Sequence, residues 1–364
     1  MTSRQYLIYW QLLMPGSGRR LWELFDYFGS PREAWEASEA ELAQVYFIGP
    51  QRAKKLVRGR DTLEYDKLEQ YLKNIDCQVI TLEDENYPAQ LKNIYDPPLA
   101  LFVRGALPSQ DKIHLALVGS RQASPYGLAV AESFASELAA SGVVIVSGMA
   151  RGIDSAAHRG ALLAGGTTIA VLGCGPDVVY PKENHKLMKQ IMEQGAVITE
   201  FPPGTAPTAW HFPSRNRIIS GLSQGVLVIE AAEKSGALIT ADFALEQGRE
   251  VMAIPGNINN LKSAGTNKLI RQGAILVTSP AEVWEELGLG DISLKQREQK
   301  ESQIALTDSE MKVLATLSHL PSTQEQIIHE CQLPAGEVAV ALTMLEIKGL
   351  IRVLPGKMYV TAGL

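Results

Sequence analysis

The chain has 364 residues, 46% of them hydrophobic and 20% charged, with a formal net charge of −6. That length is too great for one ordinary core and points to two or three domains, and the composition excludes a disordered chain. The acidic balance excludes nucleic-acid binding through the overall field, so any such affinity must come from a local cluster of Arg and Lys.

The first residues, Met1-Thr2-Ser3-Arg4 and a mixed stretch beyond, lack the apolar core and small-residue cleavage site of a signal peptide, so a cytoplasmic protein is expected. Residues 1 to about 105 read as helical. Leu21, Trp22, Leu24, Phe25 and Phe28 recur at helical spacing and are closed by Gly29-Ser30-Pro31. From Val45 to Leu56 a glycine turn leads into a helix carrying Arg52, Lys54 and Lys55. This stretch resembles a helix-hairpin-helix element, with Phe47 where the usual motif has its first glycine. It suits a DNA phosphate, and equally a turn used only for packing.

From about 106 to 290 the pattern changes to short β-branched runs alternating with helical stretches, which predicts a parallel α/β sheet. The runs are 113–118, 143–146, 168–172, 196–199, 226–229, 251–254 and 275–277. The most apolar stretch, Ala161 to Gly175, holds four glycines and reads as a helix end, turn and buried strand; no membrane span is expected. A charged linker over 291–304 follows, and residues 305–364 read as three helices and a two-stranded hairpin, a winged-helix pattern. Thr307 to Glu310 caps the first of these helices, Ser322-Thr323 starts the second and Pro334 opens the third.

In an open parallel sheet, ligands bind outside the carboxyl ends of the strands. Here those ends carry Gly119-Ser120-Arg121, Gly148 to Gly152 with Arg151, Lys182 to Asn184, Arg215-Asn216-Arg217 and Lys234-Ser235-Gly236. Glycines let backbone amides approach an anion, and Arg121, Arg151, Lys182, Arg215 and Arg217 are expected to converge on one rim fit for a row of phosphates. Phe201, Trp210 and Phe212 offer faces for unpaired bases, or wedge loops against the core. Glu200 and Glu230 at strand ends read as hydrogen-bond acceptors for loop amides or arginines.

No catalytic constellation is expected. His158, four residues after Asp154, reads as a structural histidine or a helix-face partner. His114, His185 and His211 lack metal-ligand spacing, and Cys77, Cys174 and Cys331 are far apart, so they read as reduced structural thiols. Gly173-Cys174-Gly175 lacks the third glycine of the dinucleotide fingerprint, and no Walker-type phosphate loop occurs. Neither cofactor nor metal is expected.

Together these strings closely resemble the DprA/Smf family of DNA-processing proteins. The match is carried by Gly119-Ser120-Arg121, the segments 147–160, 173–184, 200–207, 212–223 and 230–240, and Pro255-Gly256-Asn257. The resemblance implies an extended Rossmann-like domain between a helical, helix-hairpin-helix or SAM-like N-terminal domain and a C-terminal winged helix. It implies single-stranded DNA and the RecA recombinase as partners during natural transformation, with homodimerisation through the Rossmann-like domain. It makes Arg121 the phosphate-contacting arginine, with Gly148 to Gly152 and Lys182 lining the same pocket. A nucleotide-hydrolase reading lacks its family's PGGxGTxxE string, since no glutamate follows Pro202 to Thr205 as required. A scaffold holding a small signalling nucleotide is the third reading. From Thr307 onward six acids face four bases, so the winged helix is expected to contact protein rather than duplex.

Overall fold

A computed structural model describes residues 1–288, 306–317, 322–348, 350–354 and 358–361. The linker read at 291–304 and the Pro355-Gly356 turn lie outside the described residues. The chain divides into two compact units, Met1–Gly288 and Leu289–Leu364.

The first unit opens with six helices: α1 (Ser3–Leu13), α2 (Gly18–Phe28), α3 (Pro31–Glu36), α4 (Glu39–Gln44), α5 (Gly49–Thr62) and α6 (Tyr65–Asn74). Their starts follow from capping chemistry. Thr2 and Ser38 form capping boxes with Gln5 and Glu41, and Ser30 accepts from Glu33 N ahead of Pro31. Trp10, Leu21, Leu24, Phe25, Leu42 and Leu56 bury their side chains in a core of their own.

The same N-terminal stretch also contributes two strands, which corrects its reading as wholly helical. β1 (Gln78–Thr81) and β2 (Ala100–Gly105), with α7 (Ala89–Lys92) between, extend the main sheet antiparallel, and Phe102 pairs Thr199. β2 is buried from Ala100 to Val103, so it presents an apolar run without alternation, which periodicity alone cannot tell from a core helix.

The remaining elements are β3 (His114–Val118), α8 (Pro125–Ala140), β4 (Val144–Ser147), α9 (Ile153–Leu163), β5 (Thr168–Val171), α10 (His185–Gln194), β6 (Ala196–Thr199), α11 (His211–Gly221), β7 (Gly225–Val228), α12 (Gly236–Glu246), β8 (Glu250–Ala253), α13 (Ala264–Arg271), β9 (Ile275–Leu276) and α14 (Pro280–Glu286). All seven predicted strands are present within a residue or so. Among the described residues the sheet has nine strands in the order β1-β2-β6-β5-β4-β3-β7-β8-β9. From β6 to β9 all neighbours are parallel. Strands β3 to β7 are buried along their whole length, as expected of a parallel sheet covered on both faces.

The chain winds outward from β3 through β6, then returns to place β7 on the other side of β3. This is a topological switch point, where diverging loops leave a crevice at the strand ends. Residues Gly119 to Arg121 stand directly on it.

In the second unit, α15 (Asp308–Thr316), α16 (Gln324–Cys331) and α17 (Ala335–Ile347) pack around Val313, Ile327, Val338 and Leu345. Thr307 and Thr323 form the predicted caps, and Pro334 occupies the cap of α17. Strands β11 (Ile351–Leu354) and β12 (Met358–Thr361) make the wing. The short β10 (Ser322–Thr323) pairs with β12, a third strand that the sequence did not suggest.

Candidate nucleic-acid interface

A cleft of about 690 Å³ opens at the switch point. Its wall is built first by the turn after β3. Ser120 N donates to Glu230 O at 2.7 Å, tying the ends of β3 and β7 together. A Cβ at Gly119 would overlap Glu230 O and Ile153, so only glycine permits this approach. The turn thereby projects Arg121 into solvent, and its guanidinium lies 4.9 Å from the ring centroid of Phe212 on α11. A smaller cleft of about 200 Å³ shares Arg121, Gln122, Tyr180 and Phe212 with the first and continues past Gly148 and Arg151.

Helix N-termini bear partial positive charge, and those of α8, α9, α12 and α11 stand around this rim. Two are already filled. At α8 the Glu230 carboxylate accepts from Ser124 N at 3.1 Å and Ser124 Oγ at 2.6 Å. At α9 Asp154 occupies the first turn and accepts from Ala150 N at 3.4 Å. The third, at α12, has no acid in its first turn; Ser235 caps Ala237 N, Lys234 is exposed beside it, and Gly236 faces open space. The fourth, at α11, also lacks an acid in its first turn, but Pro213 has no N–H to offer and His211 N donates to Thr208 O, so a ligand anion finds its better-equipped open N-terminus at α12, between Lys234 and Arg121.

Arg215 and Asn216 form the cleft floor. Arg215 is buried; Nη1 donates to Gly148 O at 2.7 Å and also to Val171 O, while Nε donates to Asn216 Oδ1. Asn216 Nδ2 donates to Gly236 O at 3.2 Å, linking that floor to the α12 N-terminus. Burial lowers the Arg215 pKa to about 10, against the opposing pull of Asp154, and it remains a cation at neutral pH. Gly148 is required because a Cβ there would enter the Arg215 guanidinium. Gly152 adopts φ +76°, and a Cβ on it would strike Ser120 O.

Several predicted contacts go elsewhere. Arg217 does not reach the rim: it is buried, with Nη1 and Nη2 each donating at 2.8 Å to the two oxygens of Glu200 and Nε donating to Asp96 at 3.2 Å. Its position two residues from Arg215 turns it toward the N-terminal helices, where an unpaired buried charge would be costly. Asn184 is likewise buried, donating to Met149 O and Ser155 Oγ, and braces the second loop rather than facing solvent. Lys182 and Arg151 are exposed, with Arg151 paired to Glu183. The expected convergence of five cations reduces to Arg121 and Arg151 on the small cleft, with exposed Lys182 next to its Pro181, Lys234 on the other flank, and Arg215 beneath.

Phe201 is a wedge, buried and stacked on His211 at 4.1 Å. Phe212 lines both clefts against Tyr180 at 5.3 Å, and Trp210 is 86% exposed. Glu200 and Glu230 act as acceptors, as read. Sequence reasoning passed over Gln122 and Tyr180 as lining residues and Asp154 as part of the floor. Only the Tyr180-Pro181 punctuation hinted at one of them.

His158 is a core residue. Its Nδ1 lies 2.7 Å from Thr168 Oγ1, which itself donates to Ile145 O, so Nδ1 carries the proton. Burial, reinforced by Arg215 and Arg159, lowers its pKa to about 3. Unfolded chains take up a proton below pH 6.5 that this native ring refuses, so stability falls as pH drops from 6.5 toward 3. Buried Asp154, held above its ordinary range first by desolvation, works in the opposite sense, so a variant must separate the two. His158→Asn keeps a donor for Thr168 and should flatten the pH dependence of the urea midpoint between pH 5 and 7; an unaltered slope would refute the assignment. Cys77 and Cys174 are free and buried, with thiols raised by burial to about 12 and about 11, as expected of structural thiols. Among the described residues no group of His, Cys, Asp or Glu could hold a metal ion.

The profile of the family described as DNA recombination-mediator protein A matches residues 78–288. That of the DprA winged helix domain matches residues 297–357. The chain belongs to the DprA/Smf family. Protein Smf of Escherichia coli (strain K12) is 43% identical over 293 residues, covering 79% of this chain and 78% of that one. DNA processing protein DprA of Streptococcus pneumoniae is 48% identical over 203 residues, covering 56% and 72%. The X-ray structure of DprA from Streptococcus pneumoniae superposes with a TM-score of 0.66 at 36% identity, over 79% of this chain and 98% of that one. A DprA structure from Helicobacter pylori, described for its single-stranded DNA binding mode, gives 0.53 at 31% identity, over 58% and 95%. The first of these matches begins at Gln78, the first residue of β1, so it includes both antiparallel strands. No described helix is long and apolar enough to cross a membrane.

Proposed function

We propose that this DprA/Smf protein is a non-enzymatic recombination mediator that binds single-stranded DNA in the switch-point cleft and loads RecA onto it during natural transformation in the cytoplasm. The observation that carries the reading is the pairing of Arg121, exposed over Phe212, with the unoccupied α12 N-terminus beside Lys234. Cation and amides hold phosphates; Phe212, Tyr180 and the exposed Trp210 offer ring faces to unpaired bases. The Helicobacter pylori relative's single-strand binding mode supports the same ligand. A homodimer through this domain is supported by Ile258 and Leu261, which stand 92% and 83% exposed between β8 and α13. The exposed Val340, Met344 and Ile347 on α17 support a protein contact for the winged helix.

The test is fluorescence anisotropy with single-stranded and duplex oligonucleotides across a salt series. Single strands should bind more tightly, with a log–log salt slope of about −2 to −3 from the cleft alone, three or four cations at roughly 0.7 each. Arg121→Ala should weaken binding by roughly 1–3 kcal/mol, about five- to 150-fold in Kd. Unchanged affinity in that variant would remove the cleft from consideration. Recombinase loading is read separately, as faster RecA filament growth on strands precoated with a single-strand-binding protein.

A further inference from the structure

The exposed cations on the N-terminal helices are mostly neutralised within their own helix. Arg19 pairs Glu23, Arg32 pairs Glu36, Lys67 pairs Glu64 and Lys73 pairs Glu69, all at i,i+3 or i,i+4 spacing. Helix α5 breaks that pattern. Lys54, Lys55 and Arg58 share its solvent face, since Ala53 and Leu56 mark the buried side, and none of the three has an acidic partner among the described residues. Arg52 flanks them and donates back to Phe47 O at 2.9 Å. The helix's one acid is Asp61, in its last turn. Lys54 and Arg58 stand at i,i+4 and Lys55 and Arg58 at i,i+3, spacings at which like charges destabilise a helix. An acidic protein thus carries a self-repelling cationic stripe with no acidic partner among the described residues.

We propose that this face of α5 is a second, sequence-independent contact for the phosphate backbone of nucleic acid, separate from the cleft. The proposal rests on the nucleic-acid reading above. The stripe is purely polar, flanked by Gln51 and Thr62, and the helix's apolar residues are packed into the N-terminal core. A membrane-lying helix needs an apolar face to insert, and α5 has none to spare, whereas a uniform line of phosphates needs charge alone. The approach is open: Gly49, at φ +66°, has no atom within 4 Å of where a Cβ would stand. Helix α5 belongs to the same compact unit as the cleft, and one long strand must reach both, which strand length tests.

The experiment compares the full-length protein with Lys54→Gln/Lys55→Gln/Arg58→Gln, using oligonucleotides of about 8 and about 40 nucleotides over a salt series. The triple variant should lose about tenfold in affinity for the long strand and about 2 in salt slope, three phosphates at roughly 0.7 each, while the short strand binds as before. The charge-conserving Lys54→Arg/Lys55→Arg/Arg58→Lys should retain wild-type slope, which excludes a mere folding effect. A triple variant with wild-type slope and long-strand affinity, alongside an Arg121→Ala that still loses binding, overturns the α5 contact and leaves the cleft standing. A wild-type protein that binds neither oligonucleotide overturns both.

Discussion

Gly236→Asp should abolish most single-strand binding while leaving the protein as stable as before, or slightly more so. The residue opens α12, the N-terminus on the rim that has a lysine beside it and no internal carboxylate filling it. A new aspartate there would play the part that Glu230 plays at α8 and Asp154 at α9, occupying the amides and opposing a phosphate with like charge. Like-charge juxtaposition at an interface costs on the order of 2–3 kcal/mol, about 30- to 150-fold in affinity. The fold has no reason to object. A Cβ at Gly236 meets no atom within 4 Å, replacing glycine in a helix gains roughly 0.5–1 kcal/mol, and an acid at a helix N-terminus gains roughly 0.3–1 kcal/mol. Gly236→Ala is the control, adding no charge to the N-terminus and binding near wild type. Anisotropy and thermal melting decide it: a Gly236→Asp protein that binds like wild type would show that the anion sits elsewhere.

The helix N-termini around the rim illustrate what a sequence conveys and what it withholds. Glycines and cations after each strand were readable because β-strand ends of a parallel sheet all open on one edge, and Gly119 to Arg121 and Lys234 to Gly236 are where that logic put them. Which N-terminus is vacant depends on side chains arriving from far along the chain, as Glu230 does to Ser124, and no local pattern reports a pairing across 106 residues. The same limit explains Arg215 and Arg217. Both are arginines on one helix near the rim, yet one faces Gly148 and the other Glu200, a difference of helical phase set by the partners each meets. Strands β1 and β2 were missed for a related reason: β1 joins the sheet through β2, whose pairing with β6 is long-range, and the residues of β2 alone are a short apolar run. The winged helix, by contrast, is held by local devices such as the Thr307 and Thr323 capping boxes, and these are legible within four residues.

That division between rim and brace gives the largest expected stability effect to Arg217. The guanidinium is 5% exposed and holds Glu200, fully buried, bidentately, while Asp96 bridges it to Arg19 N at the start of α2. Gln11 of α1 completes the joint, donating to Glu200 O at 2.9 Å and accepting from Leu99 N at 3.0 Å. Arg217→Ala would leave the Glu200 carboxylate buried without its partner, a loss of roughly 3–5 kcal/mol. For a unit of this size that corresponds to a fall in Tm on the order of 10 °C. Arg217→Met/Glu200→Gln removes both charges and should recover part of it, because the cost lies in the orphaned ion rather than in the missing attraction. Below its own melting transition, Arg217→Ala should still bind single strands within about twofold of wild type, since the cleft cations are other residues. The opposite pattern, wild-type Tm with lost binding, would return Arg217 to the DNA-contacting set and undo the assignment of this joint as a brace.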